Sequence, residues 1–291
     1  MQRTFDTPGK VRVVVENAVG MVVITARAAA TTEVTLEADS AGAQELVERA
    51  TVEDQPSSDY RVVRVRIPHQ HGMRFGRRNG VTVRIGMPLH GDVDVVTASA
   101  DVELNGAIGE AKVTTASGDI TADDASGDLR ATSGSGDISV GTVAGDLRMQ
   151  SASGDVRAVR VDGRAQLTTT SGDIEVGSAA NRAEVRSTSG DVRLGDVAGD
   201  ASIVGVSGDV RVLSYAAGSM RVRAVSGNIT VGIAQGVALS VDAETMSGRV
   251  HSDIPLGQAP TTAGGGPEVA LTARTVSGNV VVERAAGPHV R

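Results

Sequence analysis

An all-β fold, a parallel single-stranded β-solenoid (β-helix) with 18 residues per coil, follows from three features of this 291-residue chain. First, the tripeptide Ser-Gly-Asp returns at unbroken intervals of 18 residues, from Ser117-Gly118-Asp119 to Ser207-Gly208-Asp209. A strict period without insertions means that each repeat occupies an equivalent place in a stack. Second, apolar and polar residues alternate after each turn, as in Ile138-Ser139-Val140, Ile174-Glu175-Val176 and Val210-Arg211-Val212. That period of two marks half-buried strands. Third, aromatic residues make up only 1% of the chain, with no Trp, while glycine contributes 36 residues. A narrow column filled by Val, Ile, Leu and Ala has no need of large rings.

The glycine–aspartate pairs that turn the chain are Gly118–Asp119, Gly136–Asp137, Gly154–Asp155, Gly172–Asp173, Gly190–Asp191 and Gly208–Asp209. A degraded copy, Ser99-Ala100-Asp101, precedes them by one period. Weaker turns such as Ser126-Gly127-Asp128, Ala144-Gly145-Asp146 and Ala198-Gly199-Asp200 lie halfway between, so each unit has two halves. An antiparallel meander with a hairpin at each half-period is the alternative arrangement. Residues one full period apart match more tightly than those half a period apart, as direct stacking in a solenoid requires. Parallel crossovers are nearly always right-handed, so a right-handed coil is expected.

Residues 1–90 differ in kind and are expected to form a β-rich cap on a solenoid spanning 91–291. Val11 to Val15 and Met21 to Thr25 alternate around Asn17 to Gly20, which reads as a hairpin. Glu33 to Glu37, Arg61 to Ile67 and Val81 to Ile85 read as strands. Ser40 caps a short helix over 41–50, with Leu46, Val47 and Ala50 on one face. A cap is needed because the open end of a solenoid exposes unpaired backbone and apolar side chains. Near the other end the period breaks. Pro255, Pro260, Gly264 to Gly266 and Pro267 mark a loop insertion around 252–267, after which Val269 to Thr275 and Val280 to Val282 resume as strands.

Composition narrows the chemistry. The absence of cysteine excludes disulfides, thiolate metal sites and Cys nucleophiles. A net charge of −7, with 22 acidic against 13 basic residues over 91–250, argues against binding nucleic acid. The first residues carry no apolar run after Arg3 and no stretch approaches 18 apolar residues, so neither a signal peptide nor a membrane span is expected. A cytoplasmic location is the expectation, with export by another route left open.

Candidate sites are few. The Asp ladder reads either as a row of cation sites or as turn aspartates, each accepting a backbone N–H in its own turn. Calcium-binding β-rolls use a Gly-Gly-x-Gly-x-Asp turn. The Gly doublet is missing here, and late turns carry Asn228, Arg249 and Asn279 instead. No metal or cofactor is therefore expected. Arg157, Arg193 and Arg211 stand two positions after ladder aspartates, and Arg130 and Arg148 follow half-period aspartates in the same way. They share the outer face of their strands and should form a solvated lattice of ion pairs. The loop 68–80 holds the densest basic cluster, and Arg74, Phe75, Arg77 and Arg78 are the candidate binding residues there. Asp123-Asp124 is the carboxylate doublet that a polysaccharide-cleaving solenoid enzyme would need. No nucleophile elbow, phosphate loop or metal-ligand spacing is present.

Several stretches together carry a family likeness. They are Phe5-Asp6-Thr7-Pro8, the short helix near residue 45, and the Ser-Gly-Asp-Ile/Val ladder. The tail adds Gly248 to Asp253 followed by Leu271 to Gly278. Over nearly its whole length the chain resembles the bacterial adhesin-like, or toastrack, family of β-strand repeat proteins. That resemblance implies a single-stranded parallel β-helix and a role in surface adhesion or in sensing cell-envelope stress, without defined catalytic residues. The expected function is thus a non-enzymatic repeat scaffold that presents its outer strands to a protein or cell-envelope component. The alternative is a carbohydrate-active β-helix enzyme acting on polysaccharide.

Overall fold

The computed structural model describes residues 1–56, 60–68, 80–254 and 268–285. It divides into two compact units, Met1–Gly145 and Asp146–Arg291. Both are built from parallel strands stacked coil upon coil, with one short helix in the first.

In the first unit the chain opens with β1 (Gln2–Asp6), β2 (Val11–Arg27), β3 (Thr31–Ala38), α1 (Ala41–Arg49), β4 (Thr51–Pro56), β5 (Arg61–Arg66), β6 (Val81–Pro88) and β7 (Asp92–Ile108). It continues with β8 (Ala111–Thr115), β9 (Ile120–Ala125), β10 (Leu129–Ser133) and β11 (Ile138–Val143). The 17-residue strands β2 and β7 lie parallel, from Arg12 opposite Asp92 to Thr25 opposite Asn105. Each therefore forms one whole coil. From β7 onward the coil is split by turns. Val93 pairs with Ala111 and Ala111 with Leu129, while Val102 pairs with Ile120 and Ile120 with Ile138. Every step is one 18-residue period, which is the parallel solenoid rather than the meander.

Parallel pairing reaches back into the first ninety residues. β5 and β6 lie alongside the first and second halves of β2. Beyond them the direction reverses: β4 runs antiparallel on β5, β3 on β6, and β1 on β3. The hairpin expected between Val11 and Thr25 does not form, because β2 runs on without reversing. A two-residue hairpin favours Asn directly followed by Gly, and here Ala18 and Val19 intervene. Asn17 is instead buried, its Nδ2 donating to the Val81 carbonyl at 3.1 Å. Gly20 takes φ +123° where the Val81 backbone presses close, and bends the strand without turning it back. α1 begins as expected, with the Ser40 hydroxyl accepting the Ala43 N–H at 3.2 Å. It buries Ala43, Leu46 and Val47 and packs on β3 and β6.

In the second unit the register continues by the same rule. Val156 pairs with Ile174, Ile174 with Val192, Val192 with Val210 and Val210 with Ile229. All five are at most 1% exposed, so they form one inward column. Tyr215 joins this core fully buried. Burial pushes its hydroxyl pKa upward, so it packs as a neutral ring.

The last coils are out of chain order. Glu268–Ser277 lies between Gly218–Ser226 and Ala238–Ser247, and Val280–Arg284 lies between Ile229–Ile233 and Val250–Ser252. Most of the expected loop, 255–267, lies outside the described residues; the strands expected after it form, but they are inserted beneath the preceding coil rather than added after it. Composition explains the choice. Val269, Leu271, Val280 and Val282 are at most 2% exposed. The coil left outermost carries His251 and Ser252 where the inserted one carries Val281 and Val282. The more apolar coil takes the better-covered place.

Candidate functional site: the turn ladder and the outer faces

The turns are held by three devices, all set by the period. The first is steric. Gly172, Gly190 and Gly208 have φ of +150°, +141° and +132°, and a Cβ on Gly172 would sit 2.3 Å from the Gly154 carbonyl oxygen. Gly118 and Gly136 are as tightly placed, each facing the backbone of the turn one period earlier. The second is an internal column of hydroxyls. Ser133 and Ser151 Oγ accept the N–H of Gly136 and Gly154 at 2.8 and 2.9 Å, and Thr115 Oγ1 accepts that of Gly118 at 3.0 Å. These inward hydroxyls went unread in the sequence analysis. Their signal was a Ser or Thr three residues before the turn glycine, at an otherwise apolar inward phase.

The third device is the Asp ladder, and it corrects the expectation. Within each unit the ladder aspartates accept the N–H of the turn one coil later rather than only serving their own turn. Asp101 Oδ1 accepts from Asp119 at 3.0 Å and Asp119 from Asp137 at 2.9 Å in the first unit. In the second, Asp155 accepts from Asp173, Asp173 from Asp191 and Asp191 from Asp209, at 2.8–2.9 Å. The ladder passes on through Asp209 to Asn228, Asn228 to Asn279 and Asn279 to Arg249. Half-period aspartates repeat the arrangement, with Asp146 Oδ1 accepting from Arg164 N–H at 2.9 Å. A charge-assisted bond to each carboxylate offsets the repulsion within the row.

Among the described residues no group of three or more His, Asp or Glu is placed to hold a metal ion. With one oxygen of each ladder aspartate bound to backbone, thermal melts with chelator and with millimolar calcium are expected to overlay. A calcium-dependent rise in Tm of several degrees would contradict this.

Of the five arginines expected to form the lattice, only Arg157 makes an ion pair among the described residues, while Arg164 and Arg182 supply others. Arg157 reaches Asp155 at 2.7 Å in its own coil and Glu175 at 3.7 Å in the next. Arg164 and Arg182 converge on Glu184 at 2.5 and 3.0 Å. The Arg164 hydrogen bond holds the Glu184 carboxyl below its ordinary range. A depressed folded-state pKa contributes stability that is present above the ordinary glutamate value of 4.5 and lost as pH falls through the folded value. Glu184→Gln is therefore expected to flatten the acid limb of the stability–pH curve below about pH 4.5 while changing neutral stability by about 1 kcal/mol or less. Urea melts from pH 3 to pH 7 check it.

Asp123 and Asp124 are both exposed, and Asp123 Oδ2 accepts the Gly106 N–H at 3.3 Å. Arg74, Phe75, Arg77 and Arg78 lie outside the described residues. A shallow depression in the first unit is lined by Val23, Thr25, Arg27, Glu33, Thr35 and Arg84. Its two cations are spent, Arg27 on Glu33 at 2.6 Å and Arg84 on Glu37 at 3.3 Å. No helix among the described residues is long and apolar enough to cross a membrane.

Stacked 18-residue coils, glycine turns and a polar turn ladder define a repeat protein of the β-solenoid class. The Toastrack DUF4097 family profile matches residues 12–176 and 123–283, and the chain belongs to that family. Similar solved structures include a candidate adhesin from Parabacteroides merdae, 12% identical over 97% of this chain and 95% of that one, with a TM-score of 0.43. A candidate adhesin from Parabacteroides distasonis is 12% identical over 97% and 96%, with a TM-score of 0.40. One from Bacteroides fragilis is 16% identical over 97% and 96%, with a TM-score of 0.37. No curated protein matches the chain.

Proposed function

We propose that this protein is a non-enzymatic scaffold whose outer strand faces dock a protein or a cell-envelope component, in the manner of an adhesin or an envelope-stress sensor. The observation that carries this reading is how the polar groups are used. Turn carboxylates are engaged by the backbone of the next coil, and some outward charges by ion pairs within a coil or to the next one. What remains on offer is a set of flat, repeated faces. The family membership agrees with such a role.

Site-specific photo-crosslinking tests it. A crosslinker at outward Thr121, Arg193 or Val204 should trap a partner in cells. The same group at the outward but ion-paired Arg164 should trap less. Turnover of a polysaccharide by the purified protein, abolished by Asp123→Ala, would replace the scaffold reading with that of a carbohydrate-active enzyme.

A further inference from the structure

In the second unit the residue before each full-period Ser-Gly turn faces outward, and in the last coils it is apolar every time. Flanking register pairs place Val206 beside Val225, Val225 beside Val276 and Val276 beside Met246. These side chains are 41%, 50%, 46% and 82% exposed. In the two preceding coils the same row holds Thr170 and Thr188. A contiguous exposed apolar row on a folded surface marks an interaction site rather than chance.

The electrostatics change at the same coils. Next to the row the turn ladder drops its acid, passing from Asp209 to Asn228, Asn279 and finally Arg249. On the other flank Arg221 and Arg223 are exposed and make no ion pair among the described residues. Arg274, in the next coil, is held by Asp242 and Glu244 at 3.3 and 3.7 Å. An apolar line with unspent guanidinium groups along one side complements a ligand that is apolar on one edge and acidic beside it.

Shape selects among such ligands. One flank of the row holds Val204, Arg223, Arg274 and Glu244 in successive coils, and the other holds Ser207, Ser226, Ser277 and Ser247. A membrane is a plane and would press on Asp242 and Glu244 as well, so a linear ligand fits better. Along the row the rungs are spaced by about 4.8 Å, the distance between neighbouring strands. Successive apolar residues on one face of an α-helix advance by about 5.4 Å per turn. Same-face residues of an extended peptide advance by about 6.6 Å. The helix keeps step over four rungs, and the extended chain does not.

We propose that Val206, Val225, Val276 and Met246, with Arg221 and Arg223 alongside, form a docking strip for an acidic amphipathic helix of a partner protein. This rests on the scaffold reading above and specifies its face and ligand. The probe is a fluorescein-labelled helical peptide of about five turns, with Leu along one face and Glu flanking it. Fluorescence anisotropy should show binding to the full chain. Val225→Ser with Val276→Ser, and separately Arg221→Gln with Arg223→Gln, should each weaken it about tenfold or more. Arg211→Gln, at an exposed position on Val210–Tyr215 outside the strip, should leave it unchanged. All these side chains are exposed, so unchanged thermal melts will show that the variants are folded.

The inference is overturned if a scrambled peptide of the same composition, or a Lys-for-Glu version, binds equally well, or if the variants bind like the wild type. It is likewise overturned if the protein sediments with phosphatidylglycerol vesicles and ignores the peptides, which would make the strip a lipid contact. If no peptide binds while outward crosslinks still form elsewhere, this inference falls and the scaffold reading stands. Polysaccharide turnover abolished by Asp123→Ala would remove both.

Discussion

Replacing Gly172 by valine is expected to cost at least about 3 kcal/mol of stability and to melt the coils on either side of it. Two independent penalties meet at this position. The backbone sits at φ +150°, which a β-branched residue resists. The added Cβ would also lie 2.3 Å from the Gly154 carbonyl oxygen, a backbone atom fixed by its own coil. Relieving the clash means separating two coils, and that breaks the contact between Asp155 Oδ1 and the Asp173 N–H as well. Glu175→Gln is the matched control three residues along. Its side chain is 51% exposed and stands 3.7 Å from Arg157, so its loss should cost about 0–1 kcal/mol. Denaturant melts of the two variants decide the matter. Equal costs would show that the inside–outside register is misplaced.

The second large effect is expected from Ile174→Asp. Ile174 is 1% exposed and lies between Val156 and Val192 in the inward column. The change removes a buried aliphatic side chain and puts a carboxylate where only apolar neighbours stack. The combined cost should exceed about 4 kcal/mol, since the charge has no partner and no route to water. Ile174→Val, which deletes one methylene, should cost only about 0.5–1.5 kcal/mol. An Ile174→Asp protein with the melting temperature of the parent would contradict the packing described here.

The column itself was legible in the sequence because parallel stacking forces equivalent residues into equivalent places. Ile174 follows its turn at the same step as Val156, Val192 and Val210, and the alternation sets which of them point inward. The helix at Ser40 was legible for a local reason, a capping hydroxyl ahead of a short apolar face. The role of the ladder aspartates was only half legible. An aspartate after glycine looks the same whether it bonds its own turn or the next one. What distinguishes the two is how close the next coil lies, a property of the stack and not of the tripeptide. The uninterrupted β2 was misread because a short polar stretch around Asn17 looks like a turn, yet the same residues can bury one amide and bend. The apolar row of Val206, Val225, Val276 and Met246 is visible in the sequence once the outward phase is known. The order of the last coils is not, because a repeat period says which residues are equivalent but not which equivalent unit lies next.

That order has a bearing on how the protein is made. A solenoid whose coils follow the chain can assemble as it leaves the ribosome, each new coil settling on a finished one. Here, among the described residues, the strands Ala238–Ser247 and Val250–Ser252 pair with strands that are synthesised after them, Glu268–Ser277 and Val280–Arg284. The coil from Gly218 to Ile233 waits for the same late strands on its far side. Vectorial growth therefore stops there until about 50 further residues have emerged, about 3 to 10 seconds at ordinary elongation rates. The closing strands then enter a gap between two partly formed neighbours. Assembly of this end waits for those late strands, and the nascent chain holds an open apolar edge until they arrive.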